Sequence, residues 1–158
     1  ADYVNGAFEN GSVAIAYDSR IKSDKFAKEA AAVLAANGIK VYIYSELMPT
    51  PMLSWAVREL KCQAGIVITA SHNPAKYNGY KVYGEDGCQI TLDVANTVIG
   101  KINAVEMFGG AKVVDFEDGI KSGKIEYIKQ DVIDKYLDKV AQQGVHTDLV
   151  ADSGLKVV

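Results

Sequence analysis

The sequence predicts an α/β fold: a three-layer α/β/α sandwich whose mixed sheet is mostly parallel with one antiparallel strand. Three observations carry this expectation. Short apolar runs alternate with segments of helical periodicity, and strand, helix, strand, helix, strand implies right-handed crossovers and helices on both faces of a parallel sheet. The run Ala64 to Ala70 is apolar but for Thr69 and rich in β-branched residues, as in a strand buried on both faces. Finally, Asn78-Gly79 is a tight-turn dipeptide, so Tyr80-Lys-Val-Tyr83 is expected to return antiparallel to that strand.

Taken in order, Ala1 to Asn10 carry little pattern and read as the tail of a helix. Val13-Ala-Ile-Ala-Tyr17 is a first buried strand that ends in the polar Asp18-Ser19-Arg20. Phe26, Ala30, Val33 and Leu34 share one face of a following helix, with Ser23 as its cap and Gly38 just past its end. Ile39 to Tyr44 is a second strand, and Pro49-Thr50-Pro51 opens another helix, Thr50 capping and Pro51 in the first position. The stripe of that helix is Leu53, Ala56, Val57 and Leu60. After the central strand and its antiparallel return, alternation sets Lys81 and Tyr83 on the face opposite Tyr80 and Val82. Thr91 caps a third helix carrying Val94, Ala95, Val98, Ile99 and Ile102. Met107 to Ile128 is broken by glycines and predicts short strands and turns, such as Lys112 to Val114 and Lys124 to Tyr127. Gln130 to Gln142 is again helical, with Val132, Ile133, Tyr136, Leu137 and Val140 apolar.

The size of the chain, 158 residues, suits a single domain with a real core. Hydrophobic residues at 49% and charged residues at 23% place it among soluble globular proteins rather than disordered ones. A net charge of -3 argues against nucleic acid or an anionic membrane as partner, although it allows a local cationic pocket. No apolar run reaches the roughly 20 residues that span a bilayer, and no signal peptide opens the chain, so the expected location is cytoplasmic. Cys62 and Cys88 lack metal-ligand spacing and read as reduced thiols. The start without Met, and the strand-like Leu155 to Val158 after an Asp152-Ser153-Gly154 turn, suggest a piece excised from something longer.

In open α/β sheets ligands gather beyond the carboxyl ends of the strands. That edge is where Asp18-Ser19-Arg20, Thr50 and Ser71-His72 are expected to converge, with Pro74 keeping Asn73 out of the helical region. Ser71 is therefore a candidate for chemistry, but a capping or turn role serves the residues equally well, as does a solvated role for Lys81 and Arg20. There is no Gly-x-Ser-x-Gly elbow, Walker loop or Gly-x-Gly-x-x-Gly. Adjacent side chains in an extended segment point apart, which argues against a hydrolase triad built on Ser71 and His72. No His, Cys or acidic cluster has metal-ligand spacing.

Thr69-Ala-Ser-His-Asn-Pro74, followed by Asn78-Gly-Tyr-Lys81, resembles the active-site signature of the α-D-phosphohexomutases, the family of phosphoglucomutase and phosphomannomutase. Tyr17-Asp-Ser-Arg20 and Pro49-Thr-Pro51 resemble two further landmarks of that family, in order and spacing. The resemblance runs from about Ser12 to Ile102, more loosely to Gln143, and with Tyr77 to Tyr83 it leans toward the longer phosphoglucomutase branch. It implies that Ser71 carries a phosphoryl group, gives it to a hexose monophosphate, and takes the other phosphate back from a hexose 1,6-bisphosphate intermediate, which also serves as activator. It implies that His72 and Lys81 lie close to the transferred phosphate, Lys81 being the candidate for proton transfer. Arg20 and Asn73 become candidate phosphate-binding residues, Arg20 supporting the phosphoserine loop or its charge.

The family's Mg2+ would meet this chain only through the phosphate of Ser71, because the Asp-Gly-Asp-Gly-Asp-Arg loop that supplies its other ligands is absent. The Thr-Ser-Gly-x-Arg-Gly stretch, the sugar-recognition loop and the C-terminal phosphate-binding domain are also missing. Residues 1–148 are accordingly expected to be a first domain shortened at its start, and residues 149–158 a linker and the beginning of the second. Such a fragment is expected to have little or no mutase activity apart from the remaining domains of its parent chain, its other partner being the hexose phosphate substrate. The alternatives are a phosphomannomutase, a hexosamine-phosphate mutase, or a phosphosugar-binding module without turnover. A serine hydrolase is the more distant rival.

Overall fold

The computed structural model describes residues 1–146 together with 149, 153, 154 and 156. These fall into two units, residues 1–128 and 129–158. The first holds a five-stranded sheet ordered β4-β3-β1-β2-β5. Its strands are β1 (Ser12–Tyr17), β2 (Lys40–Ile43), β3 (Ala64–Ile68), β4 (Tyr80–Gly84) and β5 (Ile125–Tyr127). All neighbouring pairs are parallel except β3 with β4, so the expected mixed sheet is present, with β5 adding a parallel edge. The helices of this unit are α1 (Asp2–Ala7), α2 (Ser23–Ala36), α3 (Thr50–Glu59), α4 (Leu92–Asn103) and α5 (Phe116–Lys121).

Every residue of β3 is buried, as its unbroken apolar run requires, and so is β1 from Val13 to Tyr17. Their alternate side chains serve two different layers. Val13, Ile15, Tyr17, Ala64, Ile66 and Ile68 pack with Val4 of α1 and with Ala27, Ala31, Leu34 and Ala35 of α2. On the opposite face Gly65 meets α3, where a Cβ would stand 2.5 Å from Val57 Cγ2 and 3.4 Å from Leu53 Cδ1. The expected stripe of α3 is present: Leu53, Ala56 and Val57 are buried and Leu60 half-buried, while Met52 joins them.

The inward face of α2 differs from the expected one. Phe26 is exposed and Ala30 and Val33 are half-buried, whereas the alanines 27 and 31 face the sheet, because a close helix-to-sheet approach selects small side chains. Ser23 is the first helical residue rather than a cap, with Lys22 before it at φ +65°. Its buried hydroxyl donates instead to the carbonyls of Asp18 and Arg20. Gly38 (φ +85°) ends α2 as expected, in a Schellman turn with Gly38 N–H on Ala35 O and Ile39 N–H on Leu34 O.

Neither Thr50 nor Thr91 makes a capping hydrogen bond; Pro49 precedes α3, and Thr91 precedes α4 without its side chain engaging a helical N–H. No residue of α4 is buried, and its apolar stripe is at most half-covered. The stretch Lys112 to Val114 forms no strand, and helix α5 stands where only strands and turns were expected. Asp115 caps it, accepting from Asp118 N–H at 3.1 Å, and Gly119 lets it lie on Ile125 of β5. In the second unit α6 (Gln130–Ala141) follows the predicted periodicity, with Asp131 in its first turn and Lys139 in its last, both favourable to the helix dipole. The expected Asp152-Ser153-Gly154 turn and Leu155 to Val158 strand lie largely outside the described residues. Among those described, no helix is long and apolar enough to cross a membrane.

Two predictions follow from this packing. Gly65→Ala drives a methyl into Val57 and should destabilise the first unit by about 1–3 kcal/mol, read as a lower urea midpoint at unchanged slope. Both cysteines are free thiols, and burial pushes the Cys62 thiol up to about 11 from its ordinary 9.0, against a smaller opposing pull from a hydrogen bond with Ser12. A raised pKa favours the neutral thiol in the fold, so this contribution is intact below pH 9 and is lost as pH rises toward about 11. Urea unfolding from pH 8 to 11 should show wild type losing stability more steeply than Cys62→Ala.

Candidate active site at the carboxyl edge of the sheet

The connection between β3 and β4 is a loop from Thr69 to Gly79, not a tight turn at Asn78-Gly79. The reversal is spread along this loop. Thr69 N–H still donates to Gly79 O at 3.0 Å, and Gly79 is needed because a Cβ there would lie 2.5 Å from the Thr69 carbonyl oxygen. Beyond that pair the loop is tied into two short turns, Asn73 N–H to Ala70 O at 3.1 Å and Tyr77 N–H to Pro74 O at 3.0 Å.

Ser71 heads the loop at φ +56°, a left-handed conformation that costs a side-chain-bearing residue about 1–2 kcal/mol. Part of that cost is offset by the buried Thr69, whose Oγ1 accepts the Ser71 N–H at 3.1 Å. The left-handed turn has a chemical consequence. It brings Ser71 Oγ and His72 Nδ1 to 2.9 Å, so these neighbours meet instead of pointing apart as an extended segment would require. Both side chains are exposed.

The β1–α2 loop supplies the support. Arg20 lies almost buried, its side chain 9% exposed, with Nη1 donating to Asn73 O at 2.7 Å, Pro74 O at 3.0 Å and Tyr77 O at 3.1 Å. Nη2 donates to Ser71 O. Asp18 orients the guanidinium, Oδ2 taking Nε at 3.1 Å while Oδ1 takes the Arg20 N–H at 3.1 Å. Two more bonds join the same loops: Ile21 N–H to Ala75 O at 3.3 Å and Asn78 Nδ2 to Ile21 O at 2.8 Å. Asp18, Ser23 and Asn78 thus build the site as supports, Asp18 on the edge where it was expected, Ser23 and Asn78 in place of the capping and turn roles that the sequence suggested for them. The Asp18-x-Arg20 spacing carried a usable signal, since a carboxylate two residues upstream caps its neighbour's N–H.

The remaining candidates stand apart. Lys81 is half-buried on β4, paired with Val67 and on the α3 side of the sheet, and its ammonium has no hydrogen-bond or ion-pair partner among the described residues. The Asn73 side chain is exposed and unengaged, although its carbonyl is held by Arg20. Thr50 opens α3 after β2, on the expected edge, without a hydrogen bond to the Ser71 loop. Among the described residues no three His, Cys, Asp or Glu side chains gather as a metal site.

The likenesses of this chain agree with that geometry. Residues 1–108 match the model of the phosphoglucomutase/phosphomannomutase alpha/beta/alpha domain I. The phosphoglucomutase of Staphylococcus saprophyticus is 41% identical over 140 residues, covering 89% of this chain and 25% of the relative. The phosphoribomutase of Saccharomyces cerevisiae is 37% identical over 150 residues, covering 90% and 24%. In fold, the open form of Paramecium parafusin, a phosphoglucomutase, superposes with a TM-score of 0.62 at 22% identity, over 81% of this chain and 24% of that one. The chain spans about a quarter of the length of the curated relatives it matches. With the family's domain I model matched over residues 1–108, this chain belongs to the phosphoglucomutase/phosphomannomutase family and carries its α/β/α domain I.

Proposed function

We propose that this domain is the phosphoryl-carrying part of a phosphohexomutase, with Ser71 as the carrier. The single observation that supports this best is the exposed Ser71 hydroxyl, fixed in a left-handed turn just past the end of the buried strand β3 and 2.9 Å from His72 Nδ1. A phosphate ester on that serine faces solvent, where a sugar can reach it, and it persists between turnovers. The reaction is a reversible transfer between the 1- and 6-positions of a hexose through a hexose 1,6-bisphosphate, which also reloads a serine that has lost its phosphate.

In the loading half-reaction the Ser71 Oγ–P bond forms as the P–O bond to the sugar breaks. The hydroxyl proton passes to His72 Nδ1, in the tautomer that carries its other proton on Nε2, and the departing sugar oxygen gains a proton. Lys81, on the neighbouring strand β4, is the proposed donor of that proton. Asn73 offers its free amide to the transferred phosphate, and positioning does most of the catalytic work because a loose phosphoryl transfer asks little covalent chemistry of the protein.

Mg2+ would supply electrostatic relief of the phosphate charge. The described residues do not form a site for it: among them only the Ser71 phosphate would contribute a ligand, and carboxylates from elsewhere would have to complete the set. Residues 1–148 are assigned to domain I and 149–158 to the link toward a second domain, so the isolated chain is expected to turn over little or no substrate. Its partners are a hexose phosphate and those further domains, in the cytoplasm, with no role for nucleic acid or membrane. Glucose phosphate is the first choice of sugar, and mannose or hexosamine phosphates the alternatives. Pentose phosphate joins them because one similar protein is a phosphoribomutase. A phosphosugar-binding module without turnover is disfavoured by the exposed Ser71–His72 pair.

Intact mass and peptide mapping test the reading, on the chain and on the full product of its gene, before and after exposure to glucose 1,6-bisphosphate with Mg2+. The full product should gain one phosphoryl group on the Ser71 peptide and lose it in Ser71→Ala, with turnover falling by at least 1000-fold. Full turnover by Ser71→Ala would end the proposal.

A further inference from the structure

Five acceptors surround the guanidinium of Arg20: one carboxylate oxygen of Asp18 and four main-chain carbonyls, of Ser71, Asn73, Pro74 and Tyr77. Carbonyl oxygens from four residues of one loop turn inward to a common point. Their dipoles repel one another unless a cation sits among them. A guanidinium carries five N–H groups in a rigid plane, and here each of its three nitrogens donates to the loop backbone or to Asp18. The side chain is also almost wholly covered, with Asp18 set against its charge. Such a group is poorly placed to reach out to a substrate.

Resting on the reading of Ser71 as carrier, we propose that Arg20 is a positioning residue. It fixes the left-handed turn that aims Ser71 Oγ, and it does so through the main chain rather than by contact with phosphate. Asp18 completes the device by holding Nε, and its own N–H is bonded to Ile68 O of the buried strand β3 at 3.2 Å, so the orientation of the serine is referred back to the core. Ser23 closes the loop on the other side by donating to the carbonyls of Asp18 and Arg20. The loop that carries the chemistry therefore takes its shape from a different loop, supplied by the neighbouring strand.

This assignment separates shape from charge. An ammonium keeps the positive charge but has neither the plane nor the number of donors to satisfy carbonyls arriving from several directions, so lysine should fail where arginine succeeds. A misplacement of the reacting atom of the order of 1 Å costs about 100-fold in rate, while substrate held by other groups still binds. The effect should therefore fall on kcat and not on KM.

The test uses the full product of the gene, with wild type, Arg20→Lys, Arg20→Ala and Asp18→Asn compared for the rate at which Ser71 takes phosphate from glucose 1,6-bisphosphate and for kcat and KM with glucose 1-phosphate. Arg20→Lys and Arg20→Ala should both lose 10- to 100-fold in loading rate and kcat with KM within threefold of wild type. Asp18→Asn should fall between them and wild type, and millimolar guanidinium should restore part of the rate of Arg20→Ala alone. Amide hydrogen exchange on the 158-residue chain supplies the structural readout: residues 70–77 should exchange at least tenfold faster in Arg20→Ala while β1 and β3 keep their protection. Uniform loss of protection would show that the arginine only stabilises the fold and would overturn the proposal. So would a wild-type rate in Arg20→Lys, or a rise in KM at unchanged kcat, which would make Arg20 a substrate-binding group. A wild type that never carries phosphate on Ser71 would instead remove the carrier reading, and this proposal with it.

Discussion

Two-sided burial of β1 and β3 is the constraint on which the rest of this structure depends. A strand with no wet face must be covered above and below, so the segments leaving its carboxyl end go to helices on opposite sides of the sheet. Here the segment after β1 enters α2 on one face, and the segment after β2 enters α3 on the other. The loop after β3 has no helix to enter and returns as β4. It is left standing at the sheet edge, beside the β1–α2 loop that holds it. The burial of five apolar residues in β3 thus decides where the Ser71 hydroxyl is displayed.

Small residues set how near the layers come. Gly65 admits Val57, and Gly119 lets α5 lie on Ile125. Alanines 27 and 31 do the same for α2. This explains what could and could not be read from the sequence. Long apolar runs and a clean helical stripe marked β1, β2, β3 and α3 directly, because burial there is driven by large side chains. The inner face of α2 was misjudged since Phe26 outweighs alanine on any hydrophobic scale, whereas close approach favours the smaller residue. Helix α5 is one and a half turns long and contains a glycine, so periodicity has nothing to register. Its Asp115 cap was the available signal.

For the site, residue types were legible and geometry was not. The edge on which Asp18, Arg20, Ser71 and His72 gather follows from strand order alone. What could not be foreseen is the left-handed backbone at Ser71, which reverses the expectation that Ser71 and His72 diverge. That conformation is not intrinsic to serine; it is imposed by bonds from Thr69 and Arg20, which lie at very different separations along the chain. Likewise Asn78-Gly79 has the composition of a hairpin turn, but Asn78 is engaged with Ile21 and Gly79 with the Thr69 carbonyl. Local preference gave way to a tertiary contact in both cases.

The strand order β4-β3-β1-β2-β5 has a consequence for synthesis. A chain growing from its amino end completes β1, β2 and β3, with α2 and α3 to cover them, once Ile68 has been made. The parts of the sheet still to come, β4 and β5, are its two outer edges. In order of synthesis the sheet is therefore built from its inner strands outward in both directions. Asp18 and Arg20 belong to that early body. The two residues that hold the Ser71 loop are thus made well before the loop itself, whose backbone carbonyls complete the bracket when they arrive.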